Sequence, residues 1–236
     1  MAGAAVAGVA AAGLCTYAAL SAGSQLFGRT LIANRNPNEI ALTFDDGPND
    51  PYTFQLLEIL AEHQVRATFF MIGRFVRQRP DIVRAVQAAG HLIGNHTMTH
   101  PWLVLESPAN VRLELADCNA ALEDVLGERV SYFRPPHGSR RPDVLRTARE
   151  LGLTPVMWNV IGHDWERGIR GEDVAGRVEK GVRRNRRAGW GSNIVLHDGG
   201  QAGIGQDRSA TVEGVRRLVP KLKAEGVSFV TVGSER

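Results

Sequence analysis

Cysteine is scarce in this chain, and its two cysteines lie far apart. Only Cys15 and Cys118 occur among the 236 residues. Cys118 lies in Val111–Leu126, where apolar residues recur on one helical face, so we interpret it as a small core residue. Cys15 lies in a separate apolar segment near the N-terminus. We expect no disulfide between them, and cysteine usage therefore does not assign a redox compartment.

A strong excess of either charge is also lacking. The formal net charge is +3 and the pI is near 9.2, without a dense basic stripe interleaved with aromatic side chains. This pattern argues against a nucleic-acid partner. The composition, 43% apolar and 22% charged, is typical of a globular protein that buries a full core. The length suits a single α/β barrel.

Charged side chains are absent from Ala2–Gly23, which is rich in Ala, Gly, Val and Leu. The segment is long enough to span a bilayer, and small residues near Ser21 and Gly23 also suit a cleaved signal peptide. No Lys or Arg precedes it, so an Ala-rich helix packed on the domain stays a third interpretation. We favour an export signal or membrane anchor and expect an exported, cell-envelope protein. Residues 1–34 are therefore predicted to be a separate N-terminal segment and linker, followed by one domain over residues 35–236.

No G-x-G-x-x-G motif follows the first predicted strand, and no internal repeat or low-complexity tract follows Arg35. A dinucleotide site therefore has no support. What is present is an alternation of short apolar runs with amphipathic helical patterns. The predicted strands are Glu39–Phe44, Ala67–Ile72, Leu92–Asn95, Val130–Arg134, Pro155–Val160, Asn193–His197 and Ser228–Val232. The predicted helices are Phe54–Glu62, Asp81–Ala89, Ala109–Leu126, Pro142–Leu151, Glu172–Arg187 and Thr211–Ala224.

This alternation indicates βαβ units and a parallel sheet, and seven strands favour a closed or nearly closed barrel. Polar side chains stand where several of these strands end. They are Asp45, Asp46, His96, Arg134, Asp164 and His197. Because parallel barrels build their sites at the carboxyl ends of the strands, we expect these residues to meet in one pocket.

A metal site is the first chemical prediction. His96 and His100 are four residues apart, so one helical turn or a tight turn before Pro101 can direct both imidazoles to one point. One carboxylate of Asp45-Asp46 completes a two-His, one-Asp ligand set, and zinc suits these ligands, although other divalent metals do too. Adjacent strand residues point in different directions, so the second carboxylate is free to act as a base. The alternative is a polar loop without metal.

Two further residues have both a chemical and a purely structural interpretation. Arg134, before two prolines, can pair with a buried carboxylate or form an ordinary surface ion pair. His137 can act as a third imidazole ligand, but its backbone N–H is the more useful group, as a donor to an oxyanion.

At the end of a predicted buried strand, His197 is either a core histidine or a general acid for a leaving amine. Asp164 can supply the carboxylate that keeps this imidazole protonated. Trp165 beside it offers an apolar wall for a sugar ring.

One basic cluster, Arg183–Arg187, lies in the last turn of a predicted helix. Cations are favoured there by the helix dipole, so we interpret the cluster as a solvated helix end. Contact with an anionic wall polymer or with lipid headgroups is the alternative.

Taken together, these residues resemble the polysaccharide deacetylases of carbohydrate esterase family 4, the NodB homology domain. The resemblance runs from Ile40 to Val232 and comprises five motifs in family order: Thr43–Pro48, His96–His100, Arg134–Gly138, Asp164-Trp165 and Val195–His197. It implies a distorted (β/α)7-type barrel over residues 35–236 that removes acetyl groups from N-acetylated sugars with one divalent metal ion.

The resemblance also implies roles for individual residues. Asp45 is the catalytic base, oriented by Arg134, and His197 is the acid tuned by Asp164. The metal ligands are Asp46, His96 and His100. The substrate-binding residues are Pro136, His137 (through its backbone N–H), Trp165 and Val195.

Three positions depart from the common family pattern, which often has Asp at Ile161, Tyr at His137 and Leu at Val195. These departures bear on substrate preference. We expect an N-acetylated glycan of peptidoglycan or chitin-like type. The alternatives are an O-acetyl esterase acting on a xylan-type polymer and a non-catalytic glycan-binding barrel.

Overall fold

The computed structural model describes residues 13–33 and 35–234, which form one eight-stranded sheet surrounded by helices. The strands are β1 (Glu39–Gly47), β2 (Thr68–Met71), β3 (Leu92–Asn95), β4 (Tyr132–Phe133), β5 (Thr154–Pro155), β6 (Val160–Ile161), β7 (Ser192–His197) and β8 (Ser228–Val230). The helices are α1 (helical over residues 13–20), α2 (Tyr52–Glu62), α3 (Gly73–Gln78), α4 (Pro80–Ala88), α5 (Pro108–Leu126), α6 (Pro142–Glu150), α7 (Gly171–Arg187) and α8 (Ser209–Ala224). A short 3-10 helix spans Pro136–Gly138.

All strand pairs are parallel, in the order β5-β4-β3-β2-β1-β7-β6, with β8 beside the first residues of β1. The central strand β1 pairs with both β2 and β7 and is buried at every position after Glu39. A strand covered on both faces is typically a mostly apolar run, and this is the pattern of Ile40–Phe44, in which only Thr43 is polar. The predicted α/β class and curled parallel sheet are confirmed.

The fifth predicted strand is wrong in one respect. Pro155–Val160 does not form a single strand, because Thr154–Pro155 pairs with β4 while Val160–Ile161 pairs with β7 at the opposite edge of the sheet. Within the described residues no ladder joins β5 to β6. The intervening chain crosses the open side instead, and this interruption makes the barrel distorted. Two further predictions need smaller corrections. The strand predicted over Val130–Arg134 has only two residues, and the six-residue helix α3 was not predicted.

Two apolar clusters lie on the two faces of the sheet. The larger packs the outward side chains of the strands, such as Leu42 and Phe44, against the helices. The smaller fills the inside of the curl around Phe70 and Val156. Side chains alternate along β1, so Thr43 and Asp45 face inward, toward the second cluster. The inner face therefore carries the polar residues of the site.

The described part of the N-terminal segment contacts the barrel at several points. Ala18 is buried, the backbone N–H of Arg140 donates to the carbonyl of Ala19 at 3.0 Å, and Leu31 forms a parallel bridge with Val156. Residues 1–12 lie outside the described residues. No helix in the described ranges is long and apolar enough to span a membrane. The boundary predicted between residues 34 and 35 stays a prediction.

Candidate metal centre

Three potential metal ligands meet where β1 and β3 end. Asp46 adopts a left-handed backbone conformation (φ 73°), which turns its side chain away from that of Asp45. His96 directly follows β3, and His100 closes a tight turn in which Thr97 and His100 also have positive φ. Of the two local conformations predicted for His96–His100, the tight turn is the observed one. Its hydrogen bond from the His100 N–H to the Thr97 hydroxyl measures 3.0 Å.

The ligand atoms of this cluster converge on one point. The Nε2 atoms of His96 and His100 lie 3.3 Å and 3.1 Å from Oδ1 of Asp46. One such atom from each residue lies within 4.8 Å of the other two, and all three residues are buried. Burial raises the pKa of Asp46, but hydrogen bonds from His100 and His96 in their protonated forms, together with the charge of His197, lower it well below the usual range. The carboxylate is therefore charged at neutral pH.

The hydrogen bonds of the Nδ1 atoms determine the tautomers of both imidazoles. Nδ1 of His96 lies 2.8 Å from the backbone carbonyl of Arg134, and Nδ1 of His100 lies 2.9 Å from Oε1 of Gln201. A carbonyl oxygen only accepts, so both Nδ1 atoms carry the proton and both Nε2 atoms present lone pairs to Asp46. Oδ1 of Asp46 has no hydrogen-bond donor. Two lone pairs and an unpartnered carboxylate oxygen around one point fit a divalent cation.

Asp45 is held by different partners. Its Oδ1 accepts a hydrogen bond from Nη1 of Arg134 at 2.8 Å, and its Oδ2 lies 3.9 Å from Nε2 of His96. The guanidinium is fully buried and also donates to Thr43 at 2.6 Å and to Asn193 at 3.1 Å. Arg134 is thus a buried ion-pair partner and not a surface residue. Asp45 stands beside the ligand cluster with one oxygen free of the arginine.

His197 and Asp164 form a second charged pair on the same rim. Oδ1 of Asp164 lies 2.8 Å from Nδ1 of His197, while its Oδ2 accepts from the His197 backbone N–H at 2.7 Å and from the Thr211 hydroxyl at 2.6 Å. Burial lowers the pKa of His197, but Asp164, with weaker contributions from Asp46 and Asp45, outweighs it and raises the value to about 9. The imidazolium is therefore the dominant form at neutral pH.

A cavity of about 580 Å³ opens above these groups. Its lining includes the predicted residues Asp46, His96, His100, His137, Trp165, Val195 and His197, together with Trp158, Ile161, Gln201, Ala202, Gln206 and Arg208. The indole of Trp165 is 45% exposed and packs edge-on against His197, with ring centroids 4.8 Å apart. Asp45, Arg134, Asp164 and Pro136 are buried behind this lining.

His137 lies beside the ligand cluster but outside it in the described structure. Its ring stacks on the indole of Trp102 with centroids 3.9 Å apart, and it meets His100 edge-on at 4.6 Å. Burial and the neighbouring imidazoles of His100 and His96 lower the pKa of His137 to about 4. The side chain is therefore neutral, and it is oriented by an aromatic stack instead of a metal.

Besides the additional cavity-lining residues, two residues that support the site were not predicted from the sequence. Gln201 lies in a glycine-rich loop and orients His100 through its side-chain carbonyl. In the sequence, only its polar side chain among small residues could have indicated this role. Asp198 directly follows His197, which was the available signal. Its Oδ2 accepts from Thr53 at 2.5 Å, and burial raises its pKa to about 7. It packs so closely on Gly47 that a Cβ there would lie 2.1 Å from Oδ2. Asp198 thus supports the turn that carries the two aspartates.

Comparison with known proteins gives a consistent result. The family profile described as polysaccharide deacetylase matches residues 33–156. A chitooligosaccharide deacetylase of Azorhizobium caulinodans is 36% identical over 211 residues, which cover 86% of this chain and 97% of that protein.

Two solved structures are also similar. A peptidoglycan N-acetylglucosamine deacetylase, in complex with 4-naphthalen-1-yl-N-oxidanyl-benzamide, has a TM-score of 0.78 and 30% identity over 87% of this chain and 91% of its own. A family 4 acetyl xylan esterase from Clostridium thermocellum, in complex with a cobalt ion, has a TM-score of 0.72 and 31% identity over 82% and 88% of the two chains.

Proposed function

The chain belongs to the polysaccharide deacetylase family, and we propose that it hydrolyses the acetamide of N-acetylated sugar residues in a glycan. One observation carries the proposal. Asp46, His96 and His100 converge on a single point, while the neighbouring Asp45 is buried beside them and paired with Arg134 instead. Metal-assisted hydrolysis needs a set of metal ligands and a separate general base. The match to the family profile and to relatives of 30% identity or more confirms the resemblance read from the five sequence motifs.

We propose zinc as the metal, because two neutral imidazoles and one carboxylate are ligands that zinc prefers. Other divalent metals accept the same ligands, and the acetyl xylan esterase with its cobalt ion supports that range. When bound, the metal polarises the amide carbonyl and lowers the pKa of a water molecule. Asp46, His96 and His100 would hold it.

The protein's own groups supply the proton transfers. Asp45 accepts a proton from the attacking water through Oδ2, because Arg134 occupies its Oδ1. His197 donates its proton to the sugar nitrogen as the C–N bond breaks, which releases acetate and a free amine. Asp164 keeps this imidazole protonated. The backbone N–H of His137 donates to the oxyanion that develops on the carbonyl.

The cavity wall supports a sugar substrate. Trp165 offers an exposed indole face beside the acid, and Val195 narrows the space for the acetyl methyl group, whereas Pro136 lies behind the cavity lining. An N-acetylated strand of peptidoglycan or chitin-like type is the substrate class we propose, and the similarities to a chitooligosaccharide deacetylase and a peptidoglycan deacetylase support both. Such polymers lie outside the cytoplasm, which supports the export signal or membrane anchor predicted for the N-terminal segment.

O-deacetylation is the second candidate, because the similarity to an acetyl xylan esterase favours it. An ester leaving group is an alkoxide that departs with less need for a proton than an amine does. Replacement of His197 by Asn should therefore reduce amide hydrolysis more than ester hydrolysis on matched substrates.

The test measures acetate release from N-acetylglucosamine oligomers, peptidoglycan and acetylated xylan, with and without chelator. We expect release from an N-acetylated glycan that chelator abolishes and added zinc restores. Asp45→Asn should lower the rate by roughly 10²- to 10⁴-fold, the usual contribution of a general base, while metal content is retained. Acetate release that persists without metal, or normal turnover by Asp45→Asn, would exclude the mechanism. Glycan binding with no acetate release from any substrate would identify a non-catalytic barrel.

A further inference from the structure

A second cavity, with a volume of about 1010 Å³, lies on the outer side of the barrel between β6 and α7. Its floor consists of small or apolar residues of the two elements and Asn159. Its walls carry five cations from a single helix: Arg177, Lys180, Arg183, Arg184 and Arg187. This basic groove, defined by these five residues, has no part in the chemistry proposed above.

The helix dipole does not explain the whole basic groove. It favours cations in the last turn of α7, which accounts for Arg184 and Arg187. Arg177 and Lys180 lie two turns earlier, where this effect has faded. Residues 177, 180, 184 and 187 are spaced three, four and three apart, so they share one helical face. The cations thus form a row along the groove.

Few carboxylates neutralise this row. Arg177 pairs with Glu166 at 2.8 Å, whereas Arg183 lies 3.8 Å from Glu179, which binds Lys221 more closely at 2.6 Å. Arg184 donates to the backbone carbonyl of Asn159 at 3.1 Å. In the part of the chain that the structure describes, Lys180 and Arg187 have no carboxylate within salt-bridge distance. The basic groove therefore has a net positive charge that a ligand can neutralise.

The floor of the groove brings the cations close to the sheet edge. A Cβ on Gly181 would lie 2.7 Å from Cγ1 of Val160, so only glycine allows α7 to approach β6 this closely. Ile161, the next residue of β6, lines both the basic groove and the metal cavity. A polymer that places one residue at the metal centre can therefore continue past Ile161 into the row of cations.

We propose that the basic groove binds the carboxylate groups of the glycan strand whose acetamide lies at the metal centre. The inference rests on the proposed function and narrows its substrate class to an acidic glycan, such as a peptidoglycan-type strand with carboxylate substituents, in preference to a neutral chitin-like one. Concave walls of positive charge concentrate anions and strengthen each contact. An anionic membrane is the competing partner, but a flat bilayer fits poorly against cations that line a concave groove.

Binding is measured first with Asp45→Asn protein, so that no turnover interferes. The ligands are a carboxylate-bearing peptidoglycan oligomer, the same oligomer with its carboxylates amidated, and a neutral N-acetylglucosamine oligomer of equal length. The groove variant Lys180→Gln with Arg187→Gln removes two cations without breaking an ion pair. The matched control, Arg84→Gln with Arg216→Gln, removes two exposed cations of α4 and α8 outside the groove.

We expect the groove variant to bind the carboxylate oligomer roughly three- to tenfold more weakly, as two partly exposed charge contacts imply. Its affinity for the amidated and neutral oligomers should stay unchanged, and the control should bind all three normally. High salt should remove the preference for the carboxylate form. Equal losses in the groove variant and the control, or no loss in the groove variant, would overturn the proposal. So would a groove-dependent loss of binding to phosphatidylglycerol vesicles without any loss for the oligomer.

Acetate release by the unmutated enzyme separates this inference from the proposed function. If all glycans are turned over without a preference for carboxylates, and the groove variant does not change this, only the proposed role of the basic groove is rejected. Groove-dependent binding of the carboxylate oligomer with no turnover of any glycan would reject the proposed hydrolysis and retain the groove.

Discussion

At the scale of single residues, identical side chains acquire different tasks from their neighbours. Asp45 and Asp46 are adjacent carboxylates, yet one is paired with a buried guanidinium and the other faces two imidazole lone pairs. Their divergence depends on the backbone, since Asp46 has a left-handed conformation and the register of β1 with β2 shifts between Asp45 and Gly47. The proposed base and the proposed metal ligand thus occupy consecutive positions without competing for the same ion.

The first prediction concerns the pH dependence of turnover. His197 must be protonated to act as the acid, and its pKa is about 9, so kcat/KM should fall as the pH rises through about 9. Asp164→Asn removes the carboxylate that most raises this pKa, and the alkaline limb should move toward the ordinary histidine value near 6.5. The measurement is the pH profile of kcat/KM for both proteins, with the exposed Asp173→Asn as control. An alkaline limb that does not move would contradict the assignment of Asp164.

The same pair contributes to stability with a defined sign. Because the pKa of His197 is raised in the folded state, the contribution is fully present below about pH 6.5 and is lost as the pH rises through about 9.

The second prediction concerns Gln201, whose side-chain carbonyl orients His100. Gln201→Ala should weaken metal affinity about 10- to 100-fold, the usual effect of removing a partner of a metal-binding histidine. Gln201→Glu keeps an acceptor at the same place and should retain most of the affinity. Titration against a competing chelator measures both, with Gln206→Ala as a control residue that lines the same cavity. Equal affinities in Gln201→Ala and the control would disprove the orienting role.

At the scale of elements, the ligand turn of β1 is held in place by the loop after β7. The backbone N–H groups of Asp198 and Gly199 donate to the carbonyl of Asp45 at 3.2 Å and 3.3 Å. Gly199 permits this approach, because a Cβ on it would lie 2.2 Å from the carbonyl oxygen of Asp46. Because the atoms in contact on both Gly199 and Asp46 belong to the backbone, no flexible side chain can move to relieve the clash.

The third prediction follows from this contact. Gly199→Ala should destabilise the fold by about 1–3 kcal/mol, a typical cost of overpacking, and should also weaken metal binding because the ligand turn is displaced. Gly176→Ala is the matched control. It lies within α7 with nothing within 4 Å of its added Cβ, so it should stabilise the protein by about 0.5–1 kcal/mol. Chemical unfolding of both variants gives the comparison, and similar stabilities would contradict the expected clash.

At the scale of the whole molecule, the sheet is a curled ladder whose carboxyl ends share one rim. The metal ligands come from the ends of β1 and β3, on either side of β2, and the acid pair comes from β7 and the loop before α7. A bound metal ion therefore joins two strands that do not pair directly. It should stabilise the barrel as well as the site.

The fourth prediction is a metal-dependent melting temperature. A metal present at about 1,000 times its Kd stabilises the folded state by roughly 4 kcal/mol. For a chain of this size, that raises Tm by roughly 8 to 16 °C. Thermal unfolding with zinc and with excess chelator measures the difference, and His96→Ala with His100→Ala should abolish it. An equal rise in the double variant would place the stabilising metal elsewhere.

The local sequence by itself determined the class of the fold and predicted which polar residues would lie together on one rim. Short, mostly apolar runs such as Ile40–Phe44 between helical patterns predict strands buried on both faces, and the polar residues that follow them are then expected to meet at one rim. These features can be predicted because they depend on side-chain type and on spacing along the chain, both of which the sequence gives directly.

The tertiary structure alone decided how distant segments combine. The residues on either side of Val156 pair with strands at opposite edges of the sheet. Gln201 contacts His100, and Asp198 contacts Gly47. The cations of α7 line a groove beside β6. These contacts join residues that are far apart in the chain, and their formation depends on the curvature of the sheet and on close backbone approach, which no local pattern of residues encodes.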